Sequence, residues 1–182
     1  MRSMQITDAL SRQHPLTIEQ ARAEHMAAAT GIYAHYVLNA VCTMEEIPPS
    51  VAEMHERHAE LRREGLPWLV ALSGAEVLGY AYAGRNRPRA GYHGTAETSI
   101  YVHPEQHGCG VGQALLASLI EECASLKLRQ LVAVIVDGAD TAGSVRLHQR
   151  FGFRQVGVFA QVGRKFGRDI DTLLLQRSVA AA

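Results

Sequence analysis

Apolar residues fall in short blocks separated by glycine, proline and polar runs, and the period within each block predicts its element. Leu16 to Glu19 reads as a short strand. Ala21 to Leu38, rich in Ala, Met and His and free of proline, reads as a helix despite Gly31. A loop follows at Asn39 to Pro49. Ser50 then reads as an N-cap with Glu53 completing a capping box, and the helix it opens runs through Met54 and Leu61 to Gly65. Trp68 to Leu72 and Val77 to Ala83 flank Ser73-Gly74-Ala75-Glu76, a hairpin signal, and Trp68 is expected in the core. Thr98 to Val102 is the next strand, closed by Pro104.

The second half continues the alternation. From Val111 to about Leu126, the residues Leu115, Leu116, Leu119 and Ile120 form one helical stripe. Leu131 to Val136 is a continuous apolar run, which predicts a strand buried on both faces. Asp140 or Thr141 caps a short helix ending at Phe151, with Gly152 as its stop. Two further strands are expected near Arg154 to Val162 and Asp171 to Arg177. The order is strand, two helices, three strands, helix, strand, helix, two strands, with no internal repeat and no linker. Residues 1–14 read as a mobile polar leader and 15–179 as one domain.

Composition narrows the function classes. At 182 residues the chain suits a single core, and 18 Lys plus Arg balance 18 Asp plus Glu, so no global basic field draws a nucleic-acid partner. Cys42, Cys109 and Cys123 are odd in number and far apart, which fits a reducing compartment better than a disulfide framework. Gln5, Thr7 and Asp8 interrupt any signal-peptide stretch, and Leu131 to Val136 falls far short of the roughly 20 residues of a membrane span. The expectation is a soluble cytoplasmic protein without a membrane partner. His55 and His58 sit three apart on a helix, but no third ligand is evident, so a solvated helix face is expected and no metal site.

Candidate chemistry concentrates at Val102-His103-Pro104-Glu105-Gln106-His107-Gly108-Cys109-Gly110-Val111-Gly112, where a strand turns into a helix. Glycines there let backbone N–H groups converge beside a helix N-terminus, which suits a diphosphate. A tight turn with no ligand remains the alternative. A P-loop is excluded because Gln113 and Ala114 stand where Lys and Ser or Thr would be needed. A Rossmann turn is weakened by the spacing of its glycines, although Asp137 could serve as a ribose-binding acid.

On this segment the chain resembles the GNAT superfamily of N-acetyltransferases, whose pantetheine-diphosphate loop reads Gln/Arg-x-x-Gly-x-Gly/Ala, with His107 in place of Gln or Arg. Within it the chain is most similar to phosphinothricin and methionine-sulfone acetyltransferases. Blocks in matching order include Ile32–Val37, Thr43-Met44-Glu45, Gly65–Val70, Gly79–Gly84, Arg87-Pro88-Arg89, Thr95-Ala96-Glu97, Val132–Ile135, Ser144–His148 and Lys165–Arg168. The resemblance implies an α/β (α+β) GNAT fold, with a mixed, mostly antiparallel twisted sheet of about seven strands flanked by about four helices. It implies a homodimer, acetyl-CoA as co-substrate and a small-molecule amine as acceptor. The acetyl-CoA contacts it carries over are Ile100, Tyr101, Val102, His107, Gly108, Cys109, Gly110, Val111, Gly112, Gln113, Thr141 and Ser144.

Acetyl transfer to an amine needs a free amine, a stabilised oxyanion and a proton for the leaving thiolate. By resemblance Glu97, just before the strand at 98–102, is the general base, and His148, beside the sulfur, protonates or hydrogen-bonds the leaving thiolate. Tyr92, at the active-site entrance, adds a hydroxyl donor to the catalytic set and also lines the acceptor pocket. The oxyanion donors are backbone N–H groups where the strand at 99–103 splays from 131–136. Arg85, Arg87 and Arg89 alternate, which in an extended chain puts all three on one side. Arg87 and Arg89 match positions that hold the acceptor's acidic groups, while Met44, Glu45, Lys165 and Phe166 add to the acceptor pocket. Thr141 in place of Asn, Asn86 and Met44 in place of aromatics, and Gly94 in place of a bulky residue depart from the family pattern. Two other classes compete: a non-enzymatic acyl-CoA-binding sensor of the same fold and, further off, a Rossmann-like dehydrogenase.

Overall fold

The structure, a computed structural model, describes residues 14–179, so the expected leader lies outside the described residues except for His14. Seven strands form one sheet in the order β1-β2-β3-β4-β5-β7-β6. They are β1 (Leu16–Gln20), β2 (Trp68–Ser73), β3 (Glu76–Arg85), β4 (Thr95–Val102), β5 (Gln130–Val136), β6 (Arg154–Lys165) and β7 (Arg168–Ser178). Only β4 and β5 run parallel, because helix α3 (Val111–Ser125) carries the chain between them; every other neighbouring pair is antiparallel. The remaining helices are α1 (Met26–Asn39), α2 (Val51–Arg63) and α4 (Ala142–Arg150). This is the mixed, mostly antiparallel architecture expected from the sequence.

Each sheet face buries its own core. Leu115, Leu116 and Leu119 of α3 pack on Ala81, Ala83, Ala96 and Leu131. On the opposite face Met26, Ile32 and Tyr33 of α1 and Met54 of α2 cover Trp68, Val70 and Tyr80. Strand alternation separates the two sets: along β3, Tyr80 and Tyr82 face α1 and α2 while Ala81 and Ala83 face α3. α2 starts as expected, with Ser50 and Glu53 each bonding the other's backbone N–H.

Four expectations need correction. β4 begins at Thr95, so Glu97 lies inside the strand, paired with Gly84 and Val132. β5 is not buried on both faces, since Val134 is 40% exposed. The last hairpin runs on past a bulge between Phe159 and Gly163 to a two-residue turn at Phe166-Gly167, both at positive φ, which suits a type I′ hairpin. His58 is buried rather than solvated: its Nε2 donates to the Ala21 carbonyl and its ring stands edge-on to Trp68.

Candidate active site

The strand-to-helix turn has the shape the diphosphate reading needs. Gly108 and Gly110 have φ of 77° and 81°, and a Cβ added at either meets nothing within 4 Å, so glycine is required there by the backbone alone. Gly110 is the N-cap of α3 and supplies no capping side chain, which leaves the first-turn N–H groups of Val111, Gly112 and Gln113 without intrahelical partners. Such groups beside a positive helix end fit an anion. Gly112 serves contact instead, because its Cβ would lie 3.4 Å from Leu147 and 3.6 Å from Val102. Tyr36 of α1 braces the turn: its hydroxyl donates to the Val102 carbonyl and pairs with His107 Nε2 at 2.7 Å. Its one proton goes to the carbonyl, so His107 donates Nε2–H to it. Cys109 Sγ lies 3.6 Å from the His107 carbonyl.

Beside this turn the sheet opens. The β4–β5 ladder pairs Thr95 with Gln130, Ala96 with Leu131 and Glu97 with Val132, and then stops, although β4 continues to Val102 and β5 to Val136. The last link is the Thr98 hydroxyl, 3.3 Å from the Val132 carbonyl. Because the His103 N–H goes to Leu78 on β3, strand alternation turns the amides of Ile100 and Val102 toward the open side. Tyr101 faces α1 instead, its ring edge-on to Tyr33 at 4.9 Å between centroids.

Glu97 stands at the point where the strands part. On β3 the residue opposite is Gly84, which has no side chain, and on β5 the same sheet face carries Val132 and half-exposed Val134. No β3 side chain therefore stands opposite the carboxyl, and Leu61 of α2 comes within 4.0 Å of where a Cβ at Gly84 would be. Burial pushes the Glu97 carboxyl above its ordinary 4.5, and among the described residues none hydrogen-bonds it. A raised, unpartnered carboxyl next to an open strand pair is suited to take a proton from an incoming ammonium group.

His148 projects from α4 into the core, 3% exposed, edge-on to Phe153. Its Nδ1 is 2.8 Å from the Ser144 carbonyl, which can only accept, so Nδ1 carries the proton and Nε2 presents a lone pair. That Nε2 is buried and has no partner among the described residues, and burial lowers the ring's pKa below 6.5, so the imidazole is neutral. In this tautomer Nε2 offers a lone pair rather than a proton. Thr141 occupies the N-cap position of α4 but does not cap it; its hydroxyl turns back to the carbonyls of Val136 and Gly138 and fastens the end of β5.

The acceptor-side residues divide. Bends at Asn86, Pro88 and Arg89 break the extended run that would align the three arginines, and Arg85 pairs with Glu64 at 2.9 Å. Arg87 and Arg89 remain exposed, with the Arg87 guanidinium 5.3 Å from the centre of the Tyr92 ring. Gly94 leaves the space that the Arg129 side chain fills, since its Cβ would lie 2.5 Å from Arg129 Nε. Both oxygens of Glu45 are held within the protein, by Tyr33 and by the two arms of Arg57. Lys165 is 1% exposed, with Nζ donating to the Thr43 carbonyl and lying 5.1 Å from the Phe166 ring centre. Burial lowers the Lys165 pKa. Phe166 is exposed and held at φ 50°, a costly conformation for a bulky residue. Sequence reasoning passed over Tyr33, Tyr36 and Arg57; the i, i+3 spacing of the two tyrosines was a usable signal, whereas nothing near Arg57 marked it. Two clefts of about 360 Å³ between β1 and α3, or beside them, contain none of these residues. No group of three or more His, Cys, Asp or Glu among the described residues is placed to hold a metal ion.

Comparison with known proteins identifies the family. The profile of the family described as Acetyltransferase (GNAT) family matches residues 32–153. The chain is 46% identical over 165 residues to phosphinothricin N-acetyltransferase of Alcaligenes faecalis, covering 91% of this chain and 83% of that one. It is 39% identical over 161 residues to the L-methionine sulfoximine/L-methionine sulfone acetyltransferase of Pseudomonas aeruginosa, covering 88% and 92%. Among solved structures, a GNAT superfamily phosphinothricin acetyltransferase from Sinorhizobium meliloti in complex with AcCoA superposes with a TM-score of 0.86 at 42% identity, covering 91% of this chain and 89% of that one. On a family match spanning residues 32–153 and relatives 39–46% identical over most of their length, the chain belongs to the GNAT acetyltransferase family and is an N-acetyltransferase of the phosphinothricin acetyltransferase-like kind.

Proposed function

We propose that the protein acetylates the α-amino group of a small amino-acid-like molecule whose side chain ends in polar or anionic oxygens: phosphinothricin, methionine sulfone, methionine sulfoximine or arsinothricin. The role that follows is detoxification or resistance in the cytoplasm. The observation that carries the reading is Glu97, a half-buried carboxyl with raised pKa and no partner among the described residues, at the last paired position before β4 and β5 separate. Acetyl-CoA, when bound, supplies an acetyl thioester. Glu97 takes a proton from the acceptor's ammonium, freeing the nitrogen lone pair; the C–N bond then forms as the C–S bond breaks, and the amine's second proton balances the thiolate. The open amides of Ile100 and Val102 stabilise negative charge developing on the carbonyl oxygen. His148 Nε2 carries a lone pair and no proton, so it is not the group that protonates the thiolate. Val111, Gly112 and Gln113 cradle the diphosphate from the α3 N-terminus, while Arg87 and Arg89, with Tyr92, meet the acceptor's oxygens at the rim.

A homodimer belongs to the same proposal. Val156, Val158, Phe159 and Val162 on the edge strand β6 are exposed apolar residues that a second copy would cover, and the solution mass by light scattering decides it. The acceptor is tested by following thiol release from acetyl-CoA with these compounds, polyamines and short peptides. Phosphinothricin-type acceptors are expected to lead, and Arg87→Ala or Arg89→Ala to lower their kcat/KM by roughly tens-fold or more with acetyl-CoA affinity spared. A polyamine or peptide that outperforms all of them overturns the acceptor and leaves acetyl transfer standing. Tight acetyl-CoA binding with no release to any amine favours the sensor reading.

A further inference from the structure

The segment between α1 and α2 has no regular structure, yet three elements grip its residues 43–45. From α1, the Tyr33 hydroxyl lies 2.7 Å from Thr43 Oγ1 and donates to Glu45 Oε1 at 2.9 Å. A carboxylate only accepts, so Thr43 donates its own proton to Tyr33, and Thr43 Oγ1 in turn lies 3.4 Å from the Glu45 N–H. From α2, Arg57 takes both Glu45 oxygens, at 2.7 and 3.1 Å, in a two-armed fork. From β6, the buried Lys165 Nζ donates to the Thr43 carbonyl at 2.8 Å. Met44, between the gripped residues, lies against β6 where Gly163 leaves room; a Cβ there would be 2.6 Å from the Met44 sulfur. Tyr33 also meets Tyr101 of β4, on the sheet face that carries Glu97.

We infer that Arg57 is a positioning residue for the acceptor: acting through Glu45, and opposed by Lys165 on the far side, it fixes the 43–45 segment as a wall of the acceptor pocket. This rests on the acceptor site proposed above. Glu45 is then an anchor of that wall, its Oε1 taking both Tyr33 and one arm of Arg57 and its Oε2 the other arm. Partial burial by itself raises the Glu45 carboxyl, but the hydrogen bonds from Arg57 and Tyr33 outweigh it and hold the group below its ordinary range, so the anchor stays ionised through neutral pH. The pair is 44% and 36% exposed, and an ion pair so open to solvent contributes little to global stability. Its effect is therefore expected in local order and in acceptor affinity.

The test uses Arg57→Gln, Arg57→Lys, Glu45→Gln and the double variant Arg57→Gln/Glu45→Gln. Amide hydrogen exchange in the free protein should speed up by roughly tenfold or more over residues 40–48 in Arg57→Gln and stay unchanged at 107–113, with a melting temperature close to that of the parent protein. Acceptor KM should rise several-fold while kcat and acetyl-CoA KM hold. Glu45→Gln should reproduce this, the double variant should be no worse than either single one, and lysine, lacking the fork, should rescue only in part. Unchanged exchange at 40–48, additive single effects, or parallel movement of both KM values with a general loss of protection overturns the proposal. If the parent protein acetylates none of the proposed acceptors, that failure falls on the acceptor assignment, and the exchange arm still decides whether Arg57 orders the segment.

Discussion

The base role proposed for Glu97 depends on what surrounds it. Gly84 across the strand pair removes a neighbour, Val132 and Val134 line the open side, and burial alone raises its pKa. A base must be ionised to take a proton, so raising the pKa moves the acid limb of activity upward: turnover should fall as pH drops through a value above the ordinary 4.5. Glu97→Gln keeps the shape and removes the base, so turnover at neutral pH should fall by roughly 10²- to 10⁴-fold, and the limb should vanish from the pH profile. Full activity with an unmoved limb in that variant shows that another group takes the proton. At this scale the chain itself was only partly informative. A lone glutamate in a strand has no local mark, and Glu97 stands out by family resemblance, whereas the partners of Glu45, Lys165 and Thr141 appear only once the chain is folded.

Among the elements, the turn into α3 is the most exposed to a direct test. Acetyl-CoA should raise the melting temperature and NADH should not, because only a ligand of the native state stabilises it. Gly110→Val places a β-branched residue at φ 81°, which lowers the melting temperature of the unliganded protein, and its side chain projects into the space before the helix N-terminus. The further rise on adding acetyl-CoA should then be lost, and a rise equal to that of the parent protein puts the diphosphate elsewhere. The elements themselves were legible because their signals are local. The Ser50–Glu53 capping box, the Leu115–Ile120 stripe and the glycine after α4 all formed as read. β6 was misjudged beyond Val162 because a bulge interrupts the alternation that marks a strand, and pairing resumes at Gly163 with Ile170.

For the whole molecule, two of the buried histidines, His58 and His148, tie stability to pH. Burial lowers the folded-state pKa of both His58 and His148 below the 6.5 of the unfolded chain. Above that value neither state is protonated and they contribute nothing; as pH falls through 6.5 the unfolded chain binds protons that the folded one refuses, and stability declines. Glu97 has the opposite sign, since its raised pKa lets the folded state bind a proton first as pH falls toward 4.5. The melting temperature should therefore decline from pH 7.5 toward 6, and His148→Asn, whose amide can still donate to the Ser144 carbonyl, should make that decline shallower. An unchanged slope in the variant shows that His148 is not a source of it. By itself the sequence determined the order and kind of the elements, the glycine-rich turn between β4 and α3 and the family resemblance, because helical and strand periods, caps and glycine spacing are set by residues a few positions apart. Only the tertiary structure decided where β4 leaves β5, that the Glu97 carboxyl has no partner among the described residues, and that Lys165 reaches Thr43 across 122 positions of chain. Those outcomes depend on which surfaces pack together and which backbone groups stay unpaired when they do, and no stretch of residues short enough to show a period contains both partners.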